Sequence, residues 1–168
     1  RKFSAAPAGE YPVLDQKYLL YEDEDVLIVN KPAGMLSQKA EQSDVSLAEY
    51  LTGYLLKEGA VTSEGLRVFQ PGVCNRLDRN TSGIVLSGKH LAAARELSLM
   101  LKQRTMKKYY LCLVQGTVQE TRRIAGYLRK NPKTNKVTVS DLPAEHASYI
   151  ETCYEPAAWY EEGTLLKV

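Results

Sequence analysis

Asn75-Arg76-Leu77-Asp78-Arg79-Asn80-Thr81-Ser82-Gly83, running straight into Ile84-Val85-Leu86-Ser87-Gly88-Lys89, is the most unusual stretch of this 168-residue chain. Ile84-Val85-Leu86 is short, apolar and largely β-branched, and reads as a strand. Val73 to Asp78 is expected to be extended as well. In an extended segment side chains two apart share a face, so Arg76 and Asp78 point one way while Leu77 enters the core. A guanidinium beside a carboxylate favours its charged form, and in a partly dry pocket such a carboxylate could act as a nucleophile or stabilise positive charge developing on a sugar. Asn80, Thr81 and Ser82 supply short hydrogen-bonding side chains and Gly83 permits a tight loop beside it. Taken as residue types alone, an Arg and an Asp near a turn more often make a salt bridge and a cap.

Two other chemistries are excluded in the same region. Gly83 to Lys89 fits G-x-x-x-x-G-K, the opening of a phosphate-binding loop, but His90 follows where Ser or Thr would hold magnesium. The intervening residues are also mostly apolar and β-forming, whereas a phosphate cradle needs small, turn-permissive ones. Ser82 lacks a G-x-S-x-G frame, and neither His90 nor His146 stands at a spacing that proposes a base or a metal ligand. No metal is expected.

Outward from this stretch, Leu19-Leu20-Tyr21 and Val26-Leu27-Ile28-Val29 read as two strands around the acidic turn Glu22 to Asp25. Ser46 and Glu49 form a capping-box pattern before Leu47, Tyr50, Leu51, Tyr54 and Leu55, which predicts a helix to about Lys57. Leu91, Ala94, Leu97 and Leu101 predict a second helix to about Arg104, with cations in its last turn. Tyr109 to Val114 alternates as a strand, which sends Tyr109 and Tyr110 to opposite faces and is expected to pack Tyr109 in the core with Leu111 and Leu113. Further strands are expected at Ile124 to Leu128, Val137 to Ser140, Ser148 to Tyr154 and Thr164 to Val168, with Asn131 to Asn135 as a turn. This order predicts an α+β fold with a mixed, largely antiparallel sheet flanked by helices. Residues 1–17, with Pro7, Gly9 and Pro12 and no periodicity, read as linker-like, and 18–168 as the folded domain.

At 18.8 kDa, 44% hydrophobic and 25% charged, the chain can bury a substantial core, roughly two-thirds of its unfolded surface, without metals or disulfides. Cys74, Cys112 and Cys153 are odd in number and lack a C-x-x-C pair, so free thiols in a reducing compartment are expected. No apolar run has the length of a membrane span and the first residues lack a secretory core, which points to the cytoplasm. The net charge of +2 conceals a segregation: Arg95 to Lys136 holds eleven basic residues against two acidic ones, a net of +9, leaving −7 for the rest. With 11 Tyr against 2 Phe, this suggests a face that meets a polyanion and stacks on bases.

Residues Asn75 to Lys89 resemble the signature H-R-L-D-x-x-T-S-G of RNA pseudouridine synthases of the large ribosomal and transfer RNA family. Two more blocks resemble that family in order: Val26-Leu27-Ile28-Val29-Asn30-Lys31-Pro32-Ala33-Gly34, its early strand and turn, and Lys108-Tyr109-Tyr110-Leu111-Cys112-Leu113-Val114-Gln115-Gly116, its K-x-Y strand. The resemblance implies the pseudouridine synthase fold. The implied activity is an isomerase that breaks the uridine N-glycosidic bond, turns the base and rejoins it through carbon 5, without a cofactor. It further implies Asp78 as the catalytic aspartate, Tyr110 stacking on the flipped base and aiding proton removal, and Arg76 filling the vacated space or holding phosphate. Arg79, Thr81, Ser82 and Lys108 are the other implied RNA-binding residues.

Two departures stand out. Position 75 is Asn where the family commonly has His, so that residue either plays a supporting, replaceable role or marks a differently tuned member. Thr164 to Val168 resembles the strand leading into the family's T-G-R-x-H-Q-I-R motif, which is not in the sequence, so the domain is expected to be C-terminally incomplete. The partner implied is RNA, ribosomal RNA of the large subunit or transfer RNA, acted on by a monomer. The rival expectation is a non-catalytic RNA-binding module that keeps the fold.

Overall fold

The structure is a computed structural model and describes residues 11–132, 134 and 136–168. Its contacts divide the chain into two compact units, Arg1–Met106 and Lys107–Val168.

The first unit is an antiparallel meander with two helices. Strands β1 (Leu19–Glu22), β2 (Val26–Lys31) and β3 (Gly83–Gly88) lie in the order β1-β2-β3. The Asp23 carboxylate shapes the β1–β2 turn by accepting the backbone N–H groups of Asp25 (2.8 Å) and Val26 (2.7 Å). Alternation along β2 sends Leu27, Val29 and Lys31 to the buried side. Helix α1 (Leu47–Lys57) presents Leu47, Leu51, Tyr54 and Leu55 to that side, the i, i+4, i+7, i+8 stripe of a helix face. Its first turn is closed as expected, the Glu49 carboxylate accepting both the N–H (2.9 Å) and the hydroxyl (2.7 Å) of Ser46. Helix α2 (Leu91–Lys102) packs on β3. Gly88 permits the close approach, since a Cβ there would lie 2.3 Å from the Ala94 nitrogen. His90 is the N-cap of α2: Nδ1 accepts the Ala93 N–H (3.3 Å) while Nε2 faces Asp25 (2.7 Å).

The second unit is one wholly antiparallel sheet. Strands β4 (Leu111–Gln115), β5 (Arg122–Lys130), β6 (Val137–Ser140), β7 (Ser148–Trp159) and β8 (Gly163–Lys167) are ordered β4-β8-β7-β5-β6. The long β7 pairs with β5 through its first half and with β8 through its second, with a bulge between Pro156 and Ala158. The fold is therefore α+β with antiparallel strands, as expected, in two sheets rather than one.

Four expectations change. Val73–Asp78 forms no strand; a single bridge, Val73 to Ser87, joins it to β3. Strand β4 starts at Leu111, with Tyr110 and Val168 exchanging two backbone hydrogen bonds (2.8 Å each) just before it. Tyr109 is 62% exposed and does not pack in a core with Leu111 and Leu113, which are exposed too. Register explains this, because Lys167 lies opposite Leu111 and Glu155 opposite Lys167, so that face carries an ion pair, and the Lys167 ammonium sits 5.0 Å from the Tyr109 ring centre. Finally, the described part of the linker-like segment, 11–17, packs on the unit: Leu14 is in the core, and Gly53 of α1 leaves room for the Pro12 carbonyl. Residues 1–10 of that segment, and positions 133 and 135 of the expected turn, lie outside the described residues.

Candidate active site

The residues between Val73 and β3 are held by side chains rather than by strand pairing. Asn75 stands beside β3 and pairs its side-chain amide with the strand's backbone: Nδ2 donates to the Ile84 carbonyl (3.0 Å) and Oδ1 accepts the Leu86 N–H (2.9 Å). An Asn amide offers one donor and one acceptor in the spacing of a peptide group, so it substitutes for a paired strand residue. Two residues on, Leu77 is clamped by Ser37, whose buried hydroxyl donates to the Leu77 carbonyl (2.7 Å) and accepts the Leu77 N–H (3.0 Å). The Leu77 side chain enters the core. With Leu77 turned inward, Arg76 and Asp78 on either side of it are exposed, so the expected in-and-out alternation holds without a strand.

Beyond Asp78 the chain turns, the Thr81 N–H donating to the Asp78 carbonyl (3.1 Å). The Arg79 carbonyl accepts from the Gly34 N–H (2.7 Å) and from Lys31 Nζ (3.2 Å). Lys31 is completely buried, and its ammonium also donates to the carbonyls of Pro32 (3.0 Å) and Met35 (2.7 Å). All three of its donors are therefore used, which is the condition for keeping a lysine in an interior. Burial pushes its pKa down, opposed by the negative charge of Asp78. Gly34, at φ +88°, makes the turn that brings its N–H to Arg79.

The result is a carboxylate on a fixed backbone. Among the described residues the Asp78 carboxylate has no hydrogen bond and no ion pair, so the salt bridge to Arg76 that the residue types suggested does not form. Arg79 and Ser82 are exposed and Thr81 half-buried on the same loop. Arg79 also lends charge to the neighbouring loop: Asp44 is held below the usual carboxylate range mainly by the backbone N–H groups of Glu41 and Ala40, with Arg79 adding a smaller contribution. Five sequence-derived candidates, Arg76, Asp78, Arg79, Thr81 and Ser82, thus share one loop of the first unit, while Lys108 and Tyr110 belong to the second. A shallow polar cleft in the second unit, lined by Thr117, Val118, Gln119, Glu120, Arg122 and Tyr154, contains none of them.

A family model described as RNA pseudouridylate synthase matches residues 25–168. The chain belongs to that family. Among RNA pseudouridylate synthase relatives it is 31% identical over 149 residues to an uncharacterised RNA pseudouridine synthase of Mycoplasma genitalium, covering 88% of this chain and 45% of that protein. It is 32% identical over 158 residues to ribosomal large subunit pseudouridine synthase C of Pasteurella multocida, covering 90% of this chain and 44% of that protein. The chain thus spans less than half the length of these curated relatives. Among solved structures, human RNA pseudouridylate synthase domain containing 4 superposes with a TM-score of 0.69 at 14% identity, over 90% of this chain and 58% of that one. The corresponding domain containing 1 gives 0.59 at 19%, over 98% and 61%. These two show the shared fold.

Three supporting residues of the loop were not assigned from sequence. Lys31 could have been found: Leu27, Val29 and Lys31 alternate along one strand, which already sends a lysine inward. Ser37 carries no local signal, because its partner lies 40 residues away. Asn75 was seen only as a departure from the family pattern, and its amide geometry gives it a structural use.

Proposed function

We propose that the protein isomerises uridine to pseudouridine in RNA, with RNA of the large ribosomal subunit as its substrate and Asp78 as the catalytic carboxylate. One observation carries this reading: the backbone around Asp78 is tied down by Asn75, Ser37, Gly34 and Lys31, while the carboxylate itself is left exposed and unpartnered. Fixing a reacting group while leaving it uncommitted is what positioning for catalysis requires. A module that only bound RNA would gain nothing from it, since a bare carboxylate between Arg76 and Arg79 repels phosphate. Relatives named as ribosomal large subunit pseudouridine synthases support the substrate class.

In this reading the target uridine leaves its stack and enters the site, with Arg76 taking the vacated space or a phosphate and Tyr110 stacking on the base. Asp78 assists at the ribose or the base as the bond from N1 to C1′ breaks. The base turns, C5 bonds to C1′, and the proton leaves C5 while N1 gains one, so substrate and product balance without an oxidant, a reductant or a cofactor. Arg79, Thr81, Ser82 and Lys108 hold the surrounding RNA. The protein acts as a monomer in the cytoplasm.

Asp78→Asn tests the assignment, because the amide keeps the shape and removes the charge and the nucleophile. Release of tritium from C5 of labelled uridine in ribosomal RNA should fall at least about a hundredfold with RNA affinity nearly unchanged. A variant retaining more than a few per cent of the wild-type rate would remove Asp78 from the chemistry.

A further inference from the structure

We infer that one face of the ribbon formed by β6, β5 and β7 is a stacking platform for unpaired bases of RNA, separate from the Asp78 loop. The inference rests on the reading that the protein's substrate is RNA and adds a surface of the second unit that takes single-stranded RNA.

Register sorts the ribbon into two unlike faces. Tyr127 on β5 lies directly opposite Tyr149 on β7 and Ser140 on β6. Residues two apart share the face, which therefore also carries Arg123, Arg129, Thr138 and Glu151. The other face presents Ile124, Leu128, Val137, Val139 and Ile150, flanked at its ends by Arg122, Tyr154 and Lys130, and Gly126 lets Val139 lie across it, its missing Cβ being 3.0 Å from Val139 Cγ1. The polar face holds the aromatic rings. Tyr127 and Tyr149 meet edge to face with centres 5.7 Å apart and planes at 66°. Tyr149 is 46% exposed, and its hydroxyl donates to Glu151 (2.9 Å), whose carboxylate also takes Arg123.

A cross-strand tyrosine pair stabilises a ribbon in its own right. Two further observations point to a ligand. The Tyr149 ring is anchored by a hydrogen bond at its hydroxyl end while nearly half of the residue stays exposed, and Arg129, on the same face two residues from Tyr127, has no carboxylate partner among the described residues. The charge is net positive: this face carries Arg123 and Arg129 against the single carboxylate of Glu151, on a stretch from Arg122 to Ser140 that contains six basic residues and no acidic one. The exposed Tyr149 ring beside half-buried Tyr127, with the Arg129 guanidinium on the same face, complements a strand whose bases are free to stack and whose phosphates need cations. A duplex does not fit, because its base faces are closed within the stack.

The test uses a twelve-nucleotide oligoadenylate, which has no uridine and so does not engage the isomerisation site. Fluorescence anisotropy at fixed salt should show Tyr127→Leu/Tyr149→Leu binding it about tenfold or more weakly than wild type, and Tyr127→Phe/Tyr149→Phe binding it nearly normally. Arg129→Gln should lower the salt slope by about one. An RNA duplex of equal length should bind all the tyrosine variants alike. An oligoadenylate carrying 2-aminopurine should be quenched on binding the wild-type chain, a readout that needs no variant to fold. Leucine variants that bind as wild type, or bound 2-aminopurine that is not quenched, overturn the platform. Loss of oligoadenylate binding with isomerisation intact would refute the platform alone, and oligoadenylate stacking without any isomerisation would refute the proposed activity alone.

Discussion

Replacing Lys31 with Met keeps the length of the side chain and removes every hydrogen-bond donor from the end of it. The buried ammonium donates to the carbonyls of Pro32, Met35 and Arg79. Hydrogen bonds from a charged group contribute about 1.5–3 kcal/mol each, so three amount to about 4.5–9 kcal/mol. Removing the charge returns several kcal/mol of desolvation cost, already visible as the downward push on its pKa. The Arg79 carbonyl keeps the Gly34 N–H, whereas no second donor reaches those of Pro32 and Met35 among the described residues. The balance is a loss of about 2–4 kcal/mol for Lys31→Met, measured by urea denaturation followed by circular dichroism. Because the lost contacts fix the turn after Asp78, tritium release should fall about a hundredfold as well, through positioning. The pH dependence carries a signature of the same group. Between its depressed folded pKa and the ordinary value of 10.5, the unfolded chain binds a proton the folded chain has released, so this lysine makes stability rise with pH there. The variant should lose that rise. A Lys31→Met protein within 0.5 kcal/mol of wild type, a margin of about the size expected for an ordinary surface substitution, would refute this account of the loop.

Gly53→Ala should destabilise by about 1–3 kcal/mol although alanine favours helix, because the new Cβ would lie 2.1 Å from the Pro12 carbonyl oxygen; a gain in melting temperature would mean that 11–14 does not pack on α1. Ser87→Ala should be neutral or stabilising by up to about 1 kcal/mol, since the Ser87 hydroxyl is buried without a partner among the described residues; a loss above about 1 kcal/mol in urea denaturation would show that the hydroxyl is used. Tyr54 donates to Glu22 (2.6 Å) and that bond, with burial, pushes its pKa up to about 12. From pH 10 to 12 the unfolded chain gives up this proton while the folded chain keeps it, so the group's stabilisation, about 2–3 kcal/mol, is lost across that window. Tyr54→Phe should flatten the alkaline fall in stability, and an unchanged profile would remove the Tyr54–Glu22 bond from the account.

Much of the fold was legible because its signals are local. A capping box at Ser46 and Glu49 and an apolar stripe through Leu47, Leu51 and Leu55 need only neighbouring residues to be read, and α1 forms where they predict. Short apolar, β-branched runs likewise located β2 and β3. Alternation misled at Tyr109, because it gives two faces without saying which is buried. Here the pairing of Lys167 with Glu155 makes that face polar, a fact held on strands 40 to 60 residues further along the chain. The in-and-out order of Arg76, Leu77 and Asp78 was also readable, although the strand invoked for it is absent.

By itself the sequence determined which residues could do chemistry: a carboxylate at 78 among Arg76, Arg79, Thr81 and Ser82, within blocks whose order marks the family. Only tertiary structure decided that Asp78 is exposed and uncommitted rather than spent in a salt bridge. That outcome depends on Ser37 holding Leu77 from 40 residues away and Lys31 holding Arg79 from 48 residues away. Hydrogen bonds of such sequence separation leave no periodic trace, because neither partner needs a particular neighbour, only a place in space that the packed strands and helix provide.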